Sequence, residues 1–194
     1  MKANVTRGSG LLENFLAKQR IKIANKLIPE IKRKGKILDV GCGTTPLFLL
    51  NTNFEERYGI DYSIKGDYPY LKLHKRNLTQ EKLPFKDNFF DVVTMLAVFE
   101  HVEPKNLIQL IKEIKRILKP KGRFILTTPC QWSDWILKTM AKLNLVSSEE
   151  INDHKDTYSH KKIKKILIKS GFEKNKMNMG YFEIFLNNWV YVDK

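Results

Sequence analysis

Apolar residues recur at helical spacing from Leu11 to Arg33, with Leu12, Leu16, Ile23 and Leu27 near one face and Phe15 and Ile31 beside it. That spacing predicts one amphipathic helix, ended or kinked at Pro29. The period then changes. Ile37 to Val40 reads as a short buried strand, Arg57 to Tyr62 as a second, and Tyr70 to Leu78 as a third with Leu71 and Leu73 on one face. Val92 to Val98 is a near-continuous apolar run, suited to a central strand covered on both faces. Pro104 to Leu118 carries the clearest helical stripe: Leu107, Leu110, Ile111, Ile114, Ile117 and Leu118. Lys119-Pro120-Lys121-Gly122 stops it, and Arg123 to Thr128 follows as a fifth strand. Gln131 to Val146 is again helical in period, with Trp132, Trp135, Ile136, Met140 and Leu143 on one face and Lys138 and Lys142 elsewhere. A polar loop over Ser147 to Ser159 leads to a last helix, opened by Tyr158-Ser159-His160, running to Ser170 and capped by Gly171. Two closing strands, Glu173 to Met179 and Tyr181 to Val192, are separated at Gly180.

Strands alternating with helices make an α/β chain whose sheet is mostly parallel. The two closing strands, joined by a short turn, add an antiparallel edge. There are no repeats and no low-complexity segments, and 194 residues suffice for one buried core.

The chemistry concentrates where the first strand ends, at Lys36-Ile37-Leu38-Asp39-Val40-Gly41-Cys42-Gly43-Thr44-Thr45-Pro46. Two glycines at alternate positions let the backbone turn sharply and let a ligand approach with no Cβ in the way. Thr45 and Pro46 read as an N-cap and first helical residue. A dinucleotide fingerprint needs a third glycine where Pro46 stands, and a Walker loop needs Gly-Lys-Ser/Thr; both are absent. Instead Asp39 precedes the first glycine, and a carboxylate there suits a cationic ligand better than a pyrophosphate. Asp61 closes the second strand, the position from which a ribose diol is usually held.

These residues, with YGIDYS (58–63), LPFKDNFFDVVTMLAVFEHV (83–102) and RILKPKGRFILTTP (116–129), resemble the class I S-adenosylmethionine-dependent methyltransferases, in particular the broad group acting on small molecules. The resemblance covers nearly the whole chain. It implies a Rossmann-like doubly wound, mostly parallel seven-stranded sheet with an antiparallel C-terminal strand and helices on both faces. It implies a single domain over 1–194: an N-terminal helix (1–33), a cofactor-binding half (34–130) and a substrate-side half (131–194). S-adenosylmethionine is the implied cofactor. Asp39, Gly41, Cys42 and Gly43 are expected around its methionine part, Asp61 and Tyr62 at the ribose, Asn77 and Leu78 at the adenine, and Leu96 facing the transferred methyl group. The family usually has an acid where Asn77 stands, and a glycine where Thr45 stands. An amide still donates or accepts at the exocyclic amine; the competing reading is that Asn77 closes a turn.

Met95-Leu96-Ala97-Val98 lacks the Asp/Asn-Pro-Pro-aromatic signature of DNA and protein amino-methyltransferases and argues against that chemistry. His101, just beyond the fourth strand, is the candidate general base, against a reading in which it braces the following helix. Cys130 reads as a buried small hydrophobe; the cytosine-C5 RNA enzymes need a second cysteine that is not there. The Trp132 and Trp135 segment has three readings: a lid over an apolar substrate, a helix resting on a membrane, or core packing. Glu149, Glu150, Asp153, His154 and Asp156 could position a polar substrate, with His154 the candidate contact, or form a solvated loop; their spacing matches no metal motif, and no metal is expected.

Composition adds bounds. No run approaches a membrane-spanning length, Met1 to Gly10 lacks the apolar centre of a signal peptide, and Cys42 and Cys130 suggest no disulfide framework. A cytoplasmic protein is expected. The net charge of +14 admits a polyanionic partner or a membrane surface. Yet seven arginines stand against 28 lysines, and a lysine-rich solvated surface explains the charge as well. A small-molecule acceptor is therefore the expected partner. An RNA methyltransferase and a non-catalytic cofactor-binding scaffold remain the alternatives, and the oligomeric state is open.

Overall fold

The computed structural model describes residues 12–78, 82–133, 135–136, 139–140, 143, 145–146 and 155–194. Seven strands form one sheet in the order β3-β2-β1-β4-β5-β7-β6. They are β1 (Lys36–Val40), β2 (Glu56–Asp61), β3 (Lys72–Lys75), β4 (Phe90–Leu96), β5 (Leu118–Pro129), β6 (Met177–Phe182) and β7 (Asn187–Asp193). β1 to β5 are paired in parallel, while β7 runs antiparallel to both β5 and β6. This is the doubly wound, Rossmann-like sheet that the resemblance implies, with the mostly parallel pairing that the strand–helix alternation predicts. The helices are α1 (Glu13–Leu27), α2 (Leu47–Leu50), α3 (Pro104–Ile117) and α4 (His160–Lys169).

The central strands are apolar on both faces because both faces are covered. Ile37, Val92 and Ile125 turn to one side, where Ala24 and Ile28 of the N-terminal region and Phe48 and Leu49 of α2 pack on them. Leu38, Val93, Phe124 and Leu126 turn to the other, against Leu107, Ile111 and Ile114 of α3 and Ile163 and Leu167 of α4. Phe90, fully buried, sits among Tyr58, Phe85 and Phe89 with its ring edge-on to theirs at 4.9–5.2 Å. Next to it, Asp91 accepts the Lys36 backbone N–H at 2.8 Å and the Lys119 ammonium at 2.7 Å, which locks the starts of β4, β1 and β5 together.

Boundaries differ from the sequence reading in four informative places. α1 ends at Leu27, two residues before Pro29, and Glu30–Lys34 continue as a 3-10 turn. α2 is a single turn that starts at Leu47, so Pro46 rather than Thr45 occupies the cap position. β5 begins at Leu118, five residues early, with a bulge opposite Phe90 and Val92. Gly180 does not break the closing strands. It lies within β6, opposite Trp189, where a Cβ would come within 2.4 Å of the indole. The glycine marks close approach of a ring, and the reversal comes later, at Glu183 to Leu186.

Candidate active site

The carboxyl ends of β1, β2 and β4 converge on the glycine loop. Gly41 and Gly43 have φ of +78° and +74°, the left-handed region that favours glycine. Their surroundings differ. A Cβ on Gly41 would strike Val98 at 2.4 Å, whereas a Cβ on Gly43 would meet nothing within 4 Å. Gly41 is therefore required by packing, and Gly43 borders open space that a ligand can enter. The loop is tethered to β2 through Gly41 N–H and Cys42 N–H, both donating to the Ile60 carbonyl at 2.8 and 3.4 Å. Cys42 is buried and its thiol is pushed up by that burial, which suits a packing role.

Asp39 and Asp61 flank this loop and are both nearly covered, at 4% and 7% exposure. Asp61 accepts the Gly43 N–H at 3.1 Å through Oδ2, and both the N–H and the hydroxyl of Ser63 through Oδ1, at 2.8 and 2.7 Å. Three of its roughly four acceptor positions are filled, so the carboxylate is oriented before a ligand arrives. Asp39 accepts the Thr94 hydroxyl at 2.7 Å. Burial pushes its carboxyl up to about 7; Thr94 opposes the shift and Asp61 adds to it. Two carboxyl groups facing one loop in low dielectric favour a cation between or beside them.

The other candidate residues lie along the same edge. Tyr62 is half exposed next to Asp61. The β2–β3 pairing sets Lys75 beside Asp61, and the Arg76 N–H donates to the Asp61 carbonyl at 3.2 Å. Asn77 and Leu78 follow directly, Asn77 exposed and Leu78 packed against the core. Leu96 ends β4 two residues after Thr94 and is half-buried. His101 closes a 3-10 turn, Phe99–His101, its N–H donating to the Val98 carbonyl. Trp132 and Trp135 are at the same end of the sheet but face solvent, at 49% and 68% exposure. That rules out core packing for them; Ile136 and Met140 are half-buried. His154, with Glu149, Glu150 and Asp153, lies outside the described residues.

Four polar residues at this end escaped the sequence reading. Thr94 and Ser63 orient the two acids, and only the short YGIDYS context hinted at Ser63. Glu100 and Tyr158 are at most 2% exposed, yet Glu100 Oε2 and the Tyr158 hydroxyl find no hydrogen-bond partner among the described residues. Tyr158 stands edge-on to Phe99 at 4.7 Å and is pinned by its carbonyl, which accepts from Gln131 N–H and from Asn188 Nδ2. Its phenol is pushed up, first by burial and then by Asp156 and Glu100. A tyrosine in apolar surroundings carried no signal of a polar role. Among the described residues, no group of three or more His, Cys, Asp or Glu side chains is placed to hold a metal ion.

The residues that the resemblance assigns to S-adenosylmethionine fit that molecule. An acid pair answers its cationic methionine part, an oriented carboxylate answers its diol, and the space beside Gly43 is open.

Residues 12–176 match the family described as the methyltransferase domain. An uncharacterized protein of Methanocaldococcus jannaschii is 34% identical over 155 residues, covering 79% of this chain and 61% of that protein. The ubiquinone biosynthesis O-methyltransferase of Rickettsia conorii is 35% identical over 104 residues, 49% of this chain and 35% of that enzyme. The chain thus spans under two thirds of the length of these relatives. Among solved structures, a SAM-dependent methyltransferase from Thermotoga maritima superposes with a TM-score of 0.69 at 18% identity, covering 95% of this chain and 91% of that one. A structure of the complex between the Haloferax volcanii Trm112 methyltransferase activator and a methyltransferase gives 0.71 at 16% identity, covering 93% and 92%. With the family match extending over most of its length and the sheet order of such enzymes, this chain belongs to the methyltransferase domain family, in the class I S-adenosylmethionine-dependent group.

Proposed function

We propose that the protein transfers a methyl group from S-adenosylmethionine to a small-molecule acceptor, either a sugar, a lipid-linked compound or another metabolite. The observation that carries this is the pair Asp39 and Asp61 about an open Gly43. The cofactor, when bound, supplies a methyl group on a sulfonium that leaves readily. The protein's own share is then alignment of the two reactants and exclusion of water, which supplies on the order of 7–11 kcal/mol in well-oriented cases. Asp39 holds the cationic part, Asp61 the diol, Asn77 and Leu78 the base, and Leu96 borders the reacting carbon. Glu100 and Tyr158 lie buried behind this end of the sheet with oxygens unpartnered among the described residues, and Trp132 and Trp135 contact the acceptor. His101 accepts the acceptor's proton as the new bond forms.

Two relatives support a lipidic acceptor: one is a ubiquinone biosynthesis O-methyltransferase and another, from Caenorhabditis elegans, a sterol 4-C-methyltransferase. Transfer of labelled methyl to a panel of quinols, sterols and glycosylated compounds tests the reading. His101→Gln is expected to lower kcat by roughly 10²-fold while leaving cofactor affinity unchanged. Turnover of tRNA but of no small compound would instead favour the RNA reading, with association that weakens steeply in salt. The Haloferax complex supports a second partner, a protein activator. Co-purification with such a protein, with raised turnover, is the corresponding test.

A further inference from the structure

The carboxyl end of the sheet carries a large apolar surface that neither the core nor the glycine loop uses. Trp132, Trp135 and Leu143 after β5, Phe15 on α1, and Ile184 and Phe185 between β6 and β7 are all exposed, Ile184 at 88%. Hydrogen bonds tie these three segments into one face. Cys130 N–H and the Ser133 hydroxyl both donate to the Leu186 carbonyl, at 2.9 and 2.8 Å, and Leu12 N–H donates to the Leu145 carbonyl at 2.9 Å.

The turn in this face is unusual in its backbone. Leu186 N–H donates to the Glu183 carbonyl at 3.0 Å, closing a turn with Ile184 and Phe185 at its centre. Glu183, Ile184 and Phe185 have φ of 52°, 53° and 66°. Glu183 to Leu186 thus form a four-residue loop between the paired Phe182 and Asn187; three successive non-glycine residues at positive φ are uncommon, and a β-branched one among them is an outlier. The fold thus holds two large apolar side chains in solvent on a strained backbone, where a polar pair would relax it. Strain of this kind persists where a function uses it.

Cations rim the face. Exposed Lys18 and Lys22 follow Phe15 at i+3 and i+7 on α1. Lys161 is exposed beside His160, whose ring stacks on Tyr181 at 4.4 Å, just before the turn. Of the acids near it, Asp156 pairs with Lys162 and Glu183 accepts from Asn187, while Glu13 begins α1, two residues before Phe15. A second copy of the chain would set these lysines against each other on a molecule already at +14. Among the described residues no helix is long and apolar enough to cross a membrane.

We propose that this face docks on an anionic lipid bilayer, with Trp132, Trp135, Ile184 and Phe185 at the headgroup boundary and Lys18, Lys22 and Lys161 against lipid phosphates. The active site then opens toward the bilayer, and a lipid-borne acceptor reaches it without crossing water. That last step rests on the methyltransferase reading; the docking itself does not.

Flotation with vesicles of phosphatidylcholine, with and without phosphatidylglycerol, tests it on the full chain. The variant Ile184→Asn/Phe185→Gly places at two of these positions residues that tolerate positive φ and is expected to fold at least as well. The wild type is expected to float with the anionic vesicles and to be released in part by salt. The variant is expected to lose about tenfold or more in partition, with unchanged S-adenosylmethionine affinity by calorimetry. A wild type that stays in the lower layer, or a variant that floats equally, overturns the proposal. So does light scattering that shows a wild-type dimer lost in the variant without vesicle binding, which would assign the face to a second copy. Vesicle binding without cofactor binding would refute the functional reading and leave the docking standing.

Discussion

Asp39 illustrates how one carboxyl group is set by its cover. It is almost fully buried, holds one hydrogen bond from Thr94, and stands near a second acid, so its ionisation is shifted up to about 7. Glu183 is likewise pushed up to about 7, chiefly by burial. Below the ordinary carboxylate range, folded and unfolded chains both carry these protons. From there up to about 7 the folded chain keeps protons that the unfolded chain has lost, so this share of stability falls as pH rises through the window. Cofactor binding should respond in the opposite sense. A cation beside Asp39 favours the carboxylate, so affinity for S-adenosylmethionine is expected to rise by up to about tenfold per pH unit approaching 7, then level. Calorimetry from about pH 6 to 8 checks this, with Asp39→Asn expected to be weak and flat. A flat wild-type profile contradicts the assignment of Asp39 to a cationic ligand.

Among the elements, the glycine loop and the turn between β6 and β7 show what a sequence can and cannot reveal. Asp39-Val40-Gly41-Cys42-Gly43 was legible because the backbone there does something only glycine does readily, directly after an apolar strand. The α3 stripe was legible because every turn buries a residue. The hairpin reversal was not, since Glu-Ile-Phe-Leu contains no turn former, and a glycine three residues earlier drew the boundary to itself. Gly180 instead lets Trp189 lie flat on β6, stacked in turn on Tyr191 at 6.2 Å. Gly180→Ala is expected to cost about 1–3 kcal/mol by forcing the indole or the strand aside. A lower urea midpoint with unchanged slope would show it, and cofactor affinity should not move. Unaltered stability would mean that β6 yields without resistance. The early start of β5 was hidden as well, because Lys119-Pro120-Lys121-Gly122 stops a helix and tolerates a bulged edge of a strand equally well.

Across the whole molecule, the two ends of the sheet have different work. At the end away from the glycine loop, lysines brace the fold. Lys194 donates to Asn88 Oδ1, to the Arg116 carbonyl in the last turn of α3 and to the Leu118 carbonyl just past it, and Lys115 donates to the Gly171 carbonyl. Lys36 and Lys72 share Glu56, whose carboxyl is held down at about 2. These four lysines thus close a helix end and strand edges. Such pairs are worth little individually in water. The other end gathers the two oriented acids, the open loop, the buried oxygens of Glu100 and Tyr158, and the aromatic face. The glycine loop and its two acids were readable because the backbone there needs glycine and the acids lie at the ends of successive strands. The buried oxygens of Glu100 and Tyr158 were not, because their placement depends on segments that meet only through tertiary packing, Tyr158 beside Phe99 being the clearest case. The central claim is that Asp61 and the glycine loop hold S-adenosylmethionine, and calorimetric titration with that compound and with S-adenosylhomocysteine tests it most directly, with Asp61→Ala in parallel and thermal melts to confirm folding. The account predicts micromolar binding to the wild type, weakened on the order of 10- to 100-fold or more in the variant. No binding to a folded wild type, or equal binding to the variant, would contradict it.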